Sequence, residues 1–125
     1  MNVSSDIGMA AFMTLLCWAS ASFATPDLGG QWTVRWPGAG QHSENAMSLI
    51  QSGDSVTGNY INDSGDSCAV TGAVTGATNR IRLHIACARW SIDMDGTIAS
   101  DGRSAAGDYQ AYQSNQVGQF SMSKK

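Results

Sequence analysis

Few side chains in this chain are suited to acid, base or metal chemistry. His42 and His84 are its only imidazoles, and neither stands at a motif spacing from a nucleophile that would suggest a hydrolytic triad. Gly65-Asp66-Ser67 reads as turn chemistry, because Asp and Ser side chains bond their own backbone in such positions. Asp93-Met94-Asp95-Gly96 matches the start of a calcium loop but lacks the later ligands and the terminal Glu, so a solvated strand is the expected setting. Two histidines and two paired cysteines give no zinc spacing. No catalytic residue, metal or cofactor is expected.

The cysteines are more informative. Cys68 and Cys87 are the only two beyond the first 24 residues. Cys68, Val70, Gly72 and Val74 alternate with polar or small residues, as do Ile81, Leu83, Ile85 and Cys87, and Gly76-Ala77-Thr78-Asn79 separates the two runs. Folding about that turn pairs 74 with 81, 72 with 83, 70 with 85 and 68 with 87. Directly opposed antiparallel residues lie roughly 4.5 to 5.5 Å apart at Cα, a separation that a disulfide accepts. The bridge is expected to be structural.

Residues Ile7 to Ala21 are almost all apolar or small, and Ser22-Phe23-Ala24 is a small-x-small site before Thr25-Pro26. This resembles a secretory signal peptide cleaved after Ala24, leaving one domain over residues 25–125 in the periplasm or outside the cell. An oxidising compartment suits the paired cysteines. Net charge is −3 and charged residues make up 14% of the chain, which argues against nucleic acid as a partner. No polybasic block or amphipathic helix points to membrane binding by the mature domain.

Helical periodicity is missing after residue 25, whereas short alternating runs recur. They span Gln31 to Trp36, Ala46 to Gln51, Ser55 to Ile61, Cys68 to Val74, Arg80 to Cys87, Trp90 to Ala99, Ser104 to Tyr112 and Val117 to Met122. Ser52-Gly53-Asp54, the Asn62 to Asp66 stretch and Asp101-Gly102 carry tight-turn residues between them. Eight short strands joined by short turns favour an all-β, up-and-down antiparallel barrel, since closure removes exposed edges; a two-sheet sandwich is the rival.

Parity assigns the inward face. Trp32, Val34, Trp36, Met47, Leu49, Val56, Tyr60, Ile92, Met94, Ile98, Tyr109, Phe120 and Met122 join the hairpin's apolar face, with Gly58, Gly72 and Gly107 relieving crowding. Trp32, Trp36, Tyr60 and Tyr109 are the candidates for lining a ligand cavity, against the alternative that they fill the core. On the outward face, Arg80, Arg82 and His84 form a basic stripe, a candidate surface for an anion or an acidic partner. Asn62-Asp63-Ser64 matches a glycosylation acceptor, relevant only in a eukaryotic source.

The strands Ser55-Val56-Thr57-Gly58-Asn59-Tyr60, Ala69-Val70-Thr71-Gly72-Ala73-Val74 and Ser104-Ala105-Ala106-Gly107-Asp108-Tyr109 form a partial repeat. With Gly30-Gln31-Trp32 and the run from Met47 to Tyr60, the chain resembles the small exported lipocalin-like (calycin) barrels of bacteria. There, a G-x-W opening strand leads to an M-x-L-x-Q-x-G-x-x-V-x-G-x-Y hairpin. The resemblance covers most of the mature chain and implies fold more than function. Avidin-type barrels share the opening Trp and the T-G-x-Y strand, a likeness that implies ligand contact at Tyr60 and Asn62. The fifth strand lacks the tryptophan that family carries, so biotin is not the implied ligand. Leu28-Gly29-Gly30-Gln31-Trp32 and Lys124-Lys125 are similar to periplasmic metalloprotease-inhibitor barrels, in which the segment preceding the barrel, here Thr25 to Leu28, enters the protease cleft.

The sequence thus leads to an exported binding protein, not an enzyme, with a small apolar or amphipathic ligand held in a cavity lined by Trp32, Tyr60 and Tyr109. A protease-inhibitor barrel, and a packed barrel acting only through its surface, are the alternatives.

Overall fold

The computed structural model describes residues 26–37 and 44–125, so the expected leader and cleavage site, Thr25 and His42 lie outside the described residues. Eight strands follow in order: β1 (Gly30–Arg35), β2 (Glu44–Ser52), β3 (Ser55–Ile61), β4 (Ser67–Thr75), β5 (Arg80–Ala86), β6 (Ser91–Ile98), β7 (Ser104–Ala111) and β8 (Gln116–Lys124). Each pairs antiparallel with the next, and β1 pairs with β8, closing an up-and-down barrel. The sandwich alternative is therefore excluded.

The β4–β5 register is the expected one: Val74 faces Ile81, Gly72 faces Leu83, and Val70 faces Ile85. Cys68 and Cys87 are joined just beyond the ladder, 4.7 Å apart at Cα. The left-handed backbone needed to reverse the chain falls on Asn79 (φ 55°), a residue whose short amide tolerates that conformation.

Three aromatic positions lie just outside the strands that the alternation assigns them, Trp36, Trp90 and Tyr112, the last of them one residue past the end of β7. Trp36 follows β1 because Pro37 has no N–H to continue a ladder and disfavours regular continuation before it. Trp90 precedes β6 because its carbonyl accepts the Cys87 N–H at 2.9 Å, closing a turn over residues 87–90.

The inward parity holds along every strand, and no buried side chain among the described residues is charged or an amide or aliphatic alcohol. Phe120 stands opposite Gly107, and its ring extends over that strand to Gly96 because Gly96 and Gly107 face each other on β6 and β7. A Cβ at Gly107 would strike the Asp95 carbonyl, and one at Gly96 would meet both the Ala106 carbonyl and the Phe120 ring. These glycines let the strands approach and bend inward.

One end of the barrel is plugged from within the chain. Leu28 is fully buried, its N–H donating to Gln51 Oε1 at 2.6 Å and its carbonyl accepting Trp32 Nε1–H at 2.9 Å. Gln51 also holds the Pro26 carbonyl through Nε2, while Lys124 Nζ donates to the Asp27 carbonyl and lies 5.4 Å from the Trp32 ring centre. Backbone groups of the entering segment thus find partners although Leu28 goes into the core.

Candidate functional site

At the opposite end the described residues leave a cup. Trp36, Tyr60, Ile92, Tyr109 and Ala111 converge there because each lies near the same end of its strand. The turns after β3 and β5 add Asn62, Asp63, Arg89 and Trp90, and the whole encloses a cup of about 470 Å³.

Its aromatic groups are fixed by edge-to-face contacts. Trp36 packs against Tyr109 at 5.0 Å between ring centres and against Tyr60 at 6.0 Å, and Tyr60 packs against Trp90 at 6.4 Å. This geometry sets the positive ring edge of one aromatic toward the negative face of another. Trp36 Nε1–H is shared between Asn45 Oδ1 and the Tyr60 hydroxyl oxygen, each at 3.1 Å. Burial pushes Tyr60 up to about 12, against a smaller opposing effect of the Trp36 hydrogen bond. Its phenol is therefore a neutral donor at any physiological pH.

The rim is ordered by local chemistry. Asn62 Oδ1 accepts the backbone N–H groups of Ser64 and Asp66, which folds the β3–β4 turn, and Asn45 Nδ2 holds Asp63 Oδ1 at 2.9 Å. The disulfide stands behind Trp90 and Arg89: Cys68 faces Tyr60 across the β3–β4 ladder, and Cys87 begins the turn that carries both residues to the cup.

Among the four aromatic candidates, the structure brings Trp36, Tyr60 and Tyr109 together at the cup. Trp32 is not with them. Fully buried at the plugged end, with its Nε1–H on the Leu28 carbonyl, it does not line the cup. Leu28, nominated as part of a protease-inserting segment, is likewise in the core.

The basic stripe is outward as expected, but its charges are matched. Arg80 and Arg82 both reach Asp95, while His84 Nδ1 lies 2.6 Å from Asp93 Oδ1. Tyr112 donates to the other Asp93 oxygen, and this bond, followed by the one with His84, holds Asp93 below the usual carboxylate range. Asp93 and Asp95 thus serve cross-strand pairs on β6, and no cluster of three metal-ligating groups occurs among the described residues.

Sequence reasoning missed Asn45, Arg89 and Trp90 as cup residues. A signal existed for the last two: they lie two and three residues beyond Cys87, at the strand end shared with Tyr60.

The fold and cup define a closed eight-stranded barrel of a kind compatible with lipocalin-like architecture, plugged at one end and bearing the cup at the other. The chain matches no family model and no curated protein.

Proposed function

We propose that this is an exported, non-catalytic binding protein of lipocalin-like type that takes a small amphipathic ligand in the cup. One observation carries the reading. The Tyr60 and Tyr109 side chains are 4% and 6% exposed, yet neither hydroxyl proton has an acceptor among the described residues. Both tyrosines line the cup, where a ligand acceptor would receive their hydroxyl protons in place of solvent. The cup's volume and its mix of aromatic walls with a few polar groups fit small-molecule sites. The disulfide is consistent with export to the periplasm or beyond.

Titration with the neutral fluorophore N-phenyl-1-naphthylamine tests the reading. Saturable 1:1 binding is expected, weakened about tenfold by Trp90→Ala through loss of one aromatic wall. Absence of saturable binding to the folded protein would overturn it.

A further inference from the structure

The polar groups of the cup are not evenly spent. Three of its acceptors are already committed, Asn45 Oδ1 to Trp36, Asn62 Oδ1 to two backbone N–H groups and Asp63 Oδ1 to Asn45, while Asp63 Oδ2 and the Gln113 and Gln116 side chains have no partner among the described residues. The Tyr60 and Tyr109 hydroxyls, Asn62 Nδ2 and the Arg89 guanidinium have no acceptor among the described residues. Among the described residues, Arg89 and Asp63 are the only charged ones lining the cup. Arg89 stands beside Trp90 on the disulfide-anchored turn; Arg35, Arg80 and Arg82 are each paired with a carboxylate, whereas Arg89 and Arg103 have none among the described residues.

We infer that the ligand is a ring-bearing organic anion of the carboxylate or sulfonate class, its charged group paired with Arg89 and its ring body lying against Trp36, Trp90 and Tyr109. This rests on the cup's being the binding site. A guanidinium offers a fork of donors that matches a carboxylate or sulfonate, and the acceptors of such a ligand would meet the free Tyr60, Tyr109 and Asn62 donors beside it. Asp63 sets the direction of binding. Its negative charge also helps keep the nearby Tyr60 phenol protonated, so the anionic group belongs on the Arg89 side and a neutral part of the ligand faces Tyr60.

Two probes with the same anilinonaphthalene body separate charge from ring. 1-Anilinonaphthalene-8-sulfonate carries the anion; N-phenyl-1-naphthylamine does not. In Arg89→Gln, the ratio of sulfonate affinity to neutral affinity is expected to fall about tenfold relative to wild type, and Arg89→Lys to restore most of it. The wild-type ratio should also shrink between low salt and 1 M salt, as a solvent-facing ion contact requires. A ratio unchanged by Arg89→Gln, with both probes binding, overturns the anion assignment while leaving the cup as a binding site. Failure of both probes to bind the wild-type protein removes the cup reading and this inference together.

Discussion

The two ends of the barrel use the same kinds of residue for opposite purposes. At the plugged end, Trp32 is wholly buried and its indole N–H is consumed by the Leu28 carbonyl. At the cup end, Trp36 shares its N–H with Asn45 and Tyr60, and Tyr60 is left with a proton to give. A tryptophan whose polar atom is satisfied by the chain that covers it is structural. One that passes its hydrogen bond to a neighbour with a spare donor leaves that donor at the cup, where the proposed ligand would bind. Inward orientation alone does not distinguish them, and the segment covering one end does.

The largest effect should come from the plugged end. Trp32→Ala removes a fully buried indole and strands the Leu28 carbonyl, so a loss of about 3–5 kcal/mol is expected in urea unfolding. A loss below about 1 kcal/mol would mean that the plug does not support the core. Next is the bridge: replacing both Cys68 and Cys87 by Ala should cost about 3 kcal/mol and weaken probe binding, since the turn bearing Arg89 and Trp90 begins at Cys87. Binding at wild-type affinity in the folded variant would show that the turn positions itself without the bridge.

Tyr60→Phe should have a smaller cost, about 1 kcal/mol, because Asn45 still accepts the Trp36 N–H. It carries a pH signature. The folded protein keeps the Tyr60 proton up to about 12, whereas an unfolded chain releases it near 10.0. The associated stability is complete below pH 10 and is lost as pH rises toward about 12. That alkaline decline should flatten in Tyr60→Phe, as measured by denaturation across pH 9–12.

The smallest effect belongs to the barrel's outer wall. Asp93→Asn should change stability by about 0.5 kcal/mol or less, because its partners are solvent-exposed. The sign follows from the lowered carboxylate: the contribution is present above the ordinary Asp range and disappears as pH falls through the depressed value. An acid-limb difference between wild type and Asp93→Asn, confined to that window, checks it.

The barrel was legible in the sequence because its signals are local. Alternation fixes which residues face inward, and the opposed cysteines fix the register of the β4–β5 hairpin. The site was legible only in part. Tyr60 and Tyr109 are strand residues whose parity pointed inward, but Arg89 and Trp90 sit on a turn, where no periodicity assigns a direction. Trp32 shares the parity of Trp36 and differs only in which end it occupies, a property fixed by Leu28 folding back onto it. Likewise, Arg80, Arg82 and His84 read as a basic stripe along β5 because the carboxylates that match them stand on β6, on the neighbouring strand.

The contrast between the ends is tested most directly by the indole N–H resonances of Trp32, Trp36 and Trp90, assigned and followed by NMR during titration with N-phenyl-1-naphthylamine. Trp36 and Trp90 are expected to shift together to saturation while Trp32 stays in place. A Trp32 shift with Trp36 and Trp90 unmoved would contradict the account, placing the ligand at the end that Leu28 is held to close.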